Sequence, residues 1–325
     1  MYNALVITAI VAFAAWLALH ARTGRPDGDL LSVHPYRRLM FYIMPTRTES
    51  QVYFERLIDA RPLLAYLDEA RARFGANVTH AAVAASAAGL ASTPRMNRFV
   101  AGRRLYQRRG TFVTFSMKRK AEAGRIDRNA KIATVKLEMR DGETFRQLCE
   151  RVNGDIRLQR SGKKTHADKE FQLFNLLPRP VLWAAARALR QLDHFGLLPG
   201  FFIRDDPMYT SMFVANLGSL KMDAGFHHLY EYGSCPIFLM LGEVEERPMV
   251  VDGRVEAIPV LPLRFTYDER IDDGLNARFG MKSVVRVLSD PARWLGCLDA
   301  DEAQHPPIWP RPDWASEDGE FAARD

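Results

Sequence analysis

Two adjacent histidines, His227 and His228, stand in the segment HHLYEYG. An imidazole titrates near neutral pH and can accept or give a proton in a catalytic step. Three hydroxyls lie just upstream, Tyr209, Thr210 and Ser211, and a hydroxyl can donate to a developing oxyanion. The competing reading is structural: an exposed histidine pair, and hydroxyls spaced along a strand. His80 falls in a run of alanines and reads as a packed core residue; His194 reads as a surface residue. The cysteines, Cys149, Cys235 and Cys297, are far apart and form no Cys-x-x-Cys pair. That argues against a disulfide scaffold and a cysteine zinc site. No spacing matches a metal site, a P-loop or a dinucleotide fingerprint, so the site residues contain no metal ligands and no permanently bound cofactor is expected.

The elements that must position these groups follow from periodicity. Residues 53–74 read as a strand end and an amphipathic helix, which Pro62 can begin. Residues 78–92 (VTHAAVAASAAGLAS) read as a tightly packed buried helix with Thr79 as its N-cap. Residues 103–119 alternate as a strand hairpin with a turn near Arg109–Gly110 and a basic outer face. A strand over 131–139 and a helix from Gly142 to Arg157 come next. Pro178, Pro180 and Pro199 break the apolar segment from Phe171 to Ile203. Val181, Leu182, Ala185, Leu189, Leu192 and Phe195 share a helical face there, suited to a bilayer surface, an acyl-pocket cover or a core groove. Beyond Pro207 come strands in SMFVANLG, CPIFLMLGEV and PMVVDGRVEAIPVLPLRFTY, with a hairpin turn at Asp252–Gly253 and a final helical stretch over 274–295. The order is mixed α/β with long antiparallel stretches.

The net charge of +6 is unevenly spread. Residues 299–325 carry eight acids against two arginines, −6, which leaves +12 for the rest. Twelve of the lysines and arginines lie between Arg95 and Lys131. No recognition helix or stacking motif accompanies them, so nucleic acid is not the expected partner. Anionic lipid, a coenzyme A phosphate or plain solvent are the readings that remain. Residues 4–19 are apolar except for Thr8, and Arg22 and Arg25 follow. This is the pattern of a single-pass N-terminal membrane anchor with a cytoplasmic body. The expected organisation is an anchor over 1–21, a linker over 22–35, one domain over 36–298 with an insertion at about 160–206, and an acidic, Pro-rich tail over 299–325.

From Asn216-Leu217-Gly218 onward the sequence resembles a known family. The series Asn-Leu-Gly, PIFLMLGEVEERPMVVDGRVEAIPVLPLRFTYDERIDDG and LSDPARWL is similar to the catalytic domain of the dihydrolipoamide acyltransferases of 2-oxo acid dehydrogenase complexes. The alanine-rich helix and PRMNRF extend the likeness more weakly upstream. The resemblance implies a two-layer, chloramphenicol acetyltransferase-like mixed sheet with helices, to which the N-terminal transmembrane helix is added. It also implies homotrimers with active sites between subunits, and a coenzyme A or acyl-carrier thioester as substrate. Lipoyl and subunit-binding modules are not matched.

In that family the motif Asp-His-Arg-x-x-Asp-Gly supplies a histidine base, and a serine before Asn-Leu-Gly steadies the oxyanion. Here the resemblance puts Asp268, Glu269, Arg270, Asp273 and Gly274 on the first motif, and Ala215, Asn216 and Gly218 on the second. Glutamate titrates about two units below histidine. Alanine donates no hydrogen bond, and losing one oxyanion donor costs on the order of 10²–10³ in rate. Two functions follow: a membrane-associated acyltransferase with a modified base, its substitutes drawn from His227, His228 and Ser211, or a catalytically silent relative that serves as an oligomeric scaffold or acyl-ligand binder.

Overall fold

The computed structural model describes residues 2–118, 132–160, 177–300 and 305–309. The outer part of the basic stretch, the SGKKTHADKE segment and most of the acidic tail lie outside these residues.

A seven-stranded mixed sheet forms one layer. Its strands are β2 (Gln51–Asp59), β5 (Phe112–Lys118), β6 (Ile132–Glu138), β8 (Met212–Asn216), β9 (Ile237–Leu241), β10 (Glu245–Val251) and β11 (Arg254–Asp268). The pairs β5–β8 and β8–β9 are parallel, and the others are antiparallel. Strands β9 and β10 follow one another along β11, Leu241 opposite Leu263 and Glu245 opposite Val260, with one extra residue bulged between them. The Asp252–Gly253 turn closes β10 onto β11 with both residues at positive φ, as a two-residue hairpin turn requires.

Helices α3 (Arg61–Phe74), α4 (Val78–Ser92), α5 (Phe145–Arg160) and α8 (Gly274–Ser289) cover one face and enclose the main core. Helix α4 is buried along most of its length, which explains its small side chains. It crosses α8 backbone to backbone: a Cβ at Gly89 would lie 2.8 Å from the Gly280 carbonyl oxygen. Its N-cap is Asn77, not Thr79. The Asn77 side chain accepts from the Thr79 and His80 N–H groups, which frees Thr79 for another contact.

The expected hairpin over 103–119 does not form. Strand β4 (Arg104–Arg108) belongs to a separate antiparallel sheet with β1 (Gly28–Leu30) and β3 (Arg98–Ala101), while β5 pairs with β6 and β8. Gly110 turns the chain from one sheet into the other. The hairpin lies earlier, at Gly102–Arg103, where both residues have positive φ. Alternation predicted strands here but could not choose their partners. Strand β1 falls inside the span expected as a linker, where Arg25 is buried and bonded to Asp27 and Asp193. Downstream, β7 (Glu143–Thr144) pairs with β12 (Pro307–Trp309) at the start of the tail.

Helix α1 (Tyr2–Ala21) is exposed from Ala4 onward except at half-buried Leu19, and Ala4–Ala21 is long and apolar enough to cross a membrane. Its C-terminal end is tied to the body. Arg104 donates to the His20 and Arg22 carbonyls, and the His20 ring packs edge-on against Phe195. Helices α6 (Arg179–His194) and α7 (Gly200–Asp205) sit beside this junction. Helix α6 has no fully buried residue, so it is not a core helix.

Two outcomes are expected from this packing. Gly89→Ala should destabilise the protein by about 1–2 kcal/mol in urea unfolding, although alanine gains ~1 kcal/mol of helix propensity, because the opposing backbone cannot move aside. His80 is fully buried, and neither ring nitrogen has a hydrogen-bond partner among the described residues. Burial pushes its pKa down to about 4. The unfolded chain therefore takes up this proton first, so stability is lost as pH falls from about 6.5 toward 4. His80→Leu should flatten that part of the pH dependence, read from denaturation midpoints.

Candidate active site

Strand β11 ends in a turn built around a buried ion pair. The Arg270 side chain donates to both Asp268 carboxylate oxygens at 2.8 Å, and the pair is almost entirely excluded from solvent. Asp268 also accepts from the Ser50 hydroxyl at 2.8 Å and the Arg270 N–H at 3.1 Å. Arg270 donates further to the Met44 carbonyl at 3.1 Å. Both carboxylate oxygens are engaged, Oδ1 by three donors and Oδ2 by one, which helps such a pair offset its desolvation.

Glu269 stands between these two pinned residues. Its N–H donates to the Ser50 carbonyl at 3.0 Å, and its half-buried carboxylate makes no hydrogen bond or ion pair among the described residues. Asp272 is buried; one oxygen accepts from the Asp273 N–H and lies 3.6 Å from Arg37, while the other has no partner. Asp273 is the N-cap of α8, accepting from the Asn276 N–H at 3.0 Å, and Gly274 is the first residue of that helix.

The second motif lies at the end of β8. Asn216 donates to the Thr79 hydroxyl at 3.1 Å and accepts from the Ser219 N–H at 3.2 Å, so it joins α4 to its own turn. Gly218 has no room for a side chain, since a Cβ there would lie 2.3 Å from the Gly242 carbonyl oxygen. Ala215 faces away from the helices into a small apolar cluster with Phe213, Leu229, Cys235, Phe238 and Met240. His227 stacks on Phe238 at 4.5 Å between centroids, on the same face of the sheet. Its Nδ1 meets the His228 carbonyl at 2.6 Å, and burial lowers its pKa. His228 is exposed, with Nδ1 3.1 Å from the Leu229 carbonyl. Ser211 is fully buried, and its hydroxyl accepts from the Phe112 N–H at 3.0 Å.

Sheet register separates the two motifs. Ala215 pairs with Met240, and Met240 with Arg264. Glu269 lies five residues beyond Arg264, roughly 17 Å along the strand, and two strands across. Within one chain Glu269 and Ala215 are therefore at opposite ends of the sheet. The chain groups Asp268, Glu269 and Arg270 and keeps Ala215 apart from them; the histidine segment runs toward the Glu269 turn, the Leu229 N–H donating to the side chain of Gln51, which pairs with Asp268.

A cleft of about 340 Å³ lies beside the Arg270 turn. Arg47, Arg270, Tyr209, Tyr232, Leu189 and His194 are among its walls, so α6 serves as a cover over a cleft. Glu269 is not among its lining residues. His194, expected on the surface, is half-buried there. Arg47 was not legible as part of this cleft: it is buried and donates to the carbonyls of Val100, Tyr230 and Glu231, partners remote in sequence.

Residues 204–296 match the family model of the 2-oxoacid dehydrogenases acyltransferase catalytic domain. The dihydrolipoyllysine-residue succinyltransferase of Pseudomonas aeruginosa is 39% identical over 57 residues, 18% of this chain and 14% of that protein. The Bacillus subtilis dihydrolipoyllysine-residue acetyltransferase is 38% identical over 53 residues, 16% of this chain and 12% of that protein. The matched segment thus spans about an eighth of the length of these relatives. Among solved structures, a probable dihydrolipoamide acetyltransferase from Listeria monocytogenes superposes with a TM-score of 0.53 at 12% identity, over 84% of this chain and 97% of that one. The Azotobacter vinelandii dihydrolipoamide acetyltransferase gives 0.52 at 18% identity, over 81% and 93%. The chain therefore has the mixed α/β fold of these acyltransferase cores and carries an acyltransferase-like domain.

The Asp268–Arg270 pair should be essential to the turn. Asp268→Asn leaves a buried guanidinium without its counter-charge and should cost about 3–5 kcal/mol in denaturant unfolding.

Proposed function

We propose that this protein is a membrane-anchored acyltransferase that moves an acyl group from a coenzyme A or carrier thioester to a thiol by a modified mechanism. The observation that carries the reading is the intact frame around Glu269. Its neighbours are locked by a buried ion pair, while its own carboxylate is left unengaged. In this mechanism Glu269 accepts the proton of the attacking thiol. The sulfur then forms a bond to the thioester carbonyl carbon, and the original carbon–sulfur bond breaks as the first thiolate leaves.

The separation of Glu269 from the Ala215–Asn216 turn supports a site completed between copies of the chain, in a homotrimer. One of the solved structures with this fold is described as the cubic core of the pyruvate dehydrogenase multienzyme complex. The exposed apolar α1, followed by Arg22, supports an anchor in contact with membrane lipids and a cytoplasmic body. The apolar surroundings of Ala215 favour a second reading, a silent relative that binds an acyl ligand or serves as a scaffold. A methyl group there stabilises no oxyanion, and the cluster around it suits a hydrocarbon chain.

The test is thiol release from a panel of acyl-CoAs by the purified full chain in detergent, with a dithiol acceptor. Glu269→Gln should lower kcat by on the order of 10²-fold or more, and Ala215→Ser should raise it. Wild type and Glu269→Gln both at the uncatalysed rate would select the silent reading.

A further inference from the structure

A second cavity, about 200 Å³, opens beneath α7 on the side of the fold where α1 joins the body. Four cations line it: Arg108 at the end of β4, Arg109, Lys136 on β6 and Arg204 on α7. Asp27 is the only acid among the described lining residues, and its carboxylate is taken by Arg25 at 2.9 and 3.2 Å. Among the described residues the two inner cations have no carboxylate partner. Arg108 is 4% exposed; its guanidinium donates to the Ser234 carbonyl at 2.8 Å and hydroxyl at 3.0 Å and lies over the Phe99 ring, and its buried Nε has no acceptor among the described residues. Lys136 donates to the Ile203 and Asp206 carbonyls at 2.8 and 3.0 Å, and its ammonium lies 4.9 Å from the centre of the Phe112 ring, so its described partners are all uncharged. Burial pushes the Arg108 guanidinium down to about 10 and the Lys136 ammonium down to about 8. These are the shifts of cations held in a wall with too little negative charge opposite them.

We propose that this cavity binds a phosphoryl group, held by Arg108 and Lys136 at the back and by Arg109 and Arg204 at the mouth. A guanidinium fork beside an ammonium suits a tetrahedral dianion with several acceptor oxygens. Arg109 and Arg204 are exposed and already balanced by Asp29 and Asp205, so they close over the anion without being needed to neutralise it. Only a phosphoryl group and its immediate attachment fit the volume. It can come from free phosphate or from a lipid headgroup. The lipid source is favoured by position, because Pro26 and Asp27 in the wall follow α1 by a few residues and Phe201 of α7 is exposed next to Gly200 of the wall. The proposal uses none of the acyl-transfer residues and stands whether or not thiol release is observed.

The test uses the full chain in neutral detergent, titrated with inorganic phosphate at constant ionic strength and followed by calorimetry and thermal melting. One phosphate should bind per chain and raise Tm. Lys136→Met should weaken binding about tenfold or more, the effect of losing one close charge. Arg204→Gln, an exposed change that leaves the fold intact, should weaken it by a smaller factor of roughly two to five. The second arm repeats the titration in nanodiscs of phosphatidylcholine with and without phosphatidic acid. Loss of phosphate binding only in the phosphatidic acid discs assigns the site to a lipid headgroup; equal binding in both assigns it to free phosphate. No saturable binding by wild type in detergent, or unchanged binding in both variants, overturns the proposal.

Discussion

The buried pair between Asp268 and Arg270 is the constraint on which the candidate site rests. It joins the end of β11 to Ser50, just ahead of β2, and to Met44 at the end of helix α2 (Pro35–Ile43). This is possible because β2 and β11 run antiparallel for nine residues and bring Gln51 opposite Asp268. Such a pair gains little net free energy over a packed apolar substitute, since both charges leave water. Its value is positional. With residues 268 and 270 both fixed, Glu269 has little choice but to face outward.

The sheet then decides what Glu269 can meet. β8 and β9 run through the centre with both faces covered, and a paired sheet does not bend to close a gap of several residues. The Asn216–Gly218 turn is held as firmly at the other end, by Thr79 on α4 and by the close approach of Gly218 to Gly242. Within a single chain the two motifs therefore stand rigidly at opposite ends of the sheet.

The junction with α1 shows a second kind of order. Arg25 is buried and Asp27 half-buried, β1 adds a strand to β4, and α6 and α7 close two clefts nearby. The positive charge noticed along residues 95–131 is therefore not only a solvated face. Arg108, within that stretch, is turned inward by the small sheet and enclosed in a cavity wall, which it shares with Lys136 just beyond the stretch, covered by α7.

Much of this was legible in the residues. The alanine run specified a tightly packed helix, the apolar runs around Val214 and Leu239 specified buried strands, and Asp252–Gly253 specified a hairpin. The motif residues from Asp268 to Gly274 marked a single turn because their spacing is local. Other features were not legible. Thr79 and Asn77 are both competent N-caps, and only the start of α4 chose Asn77. Alternation in 103–119 announced strands, but a strand's partner depends on what packs against it. Arg47, Arg108 and Lys136 look like ordinary surface cations until segments distant in sequence cover them. Periodicity and neighbouring side chains were enough to mark which residues form helices and strands, which faces are apolar and which motif residues stand together. The tertiary structure alone decided that β4 and β5 part into different sheets, that Ala215 and Glu269 stand apart, and that two cations lose their water. Each of those outcomes depends on contacts between distant segments, which local preference does not encode.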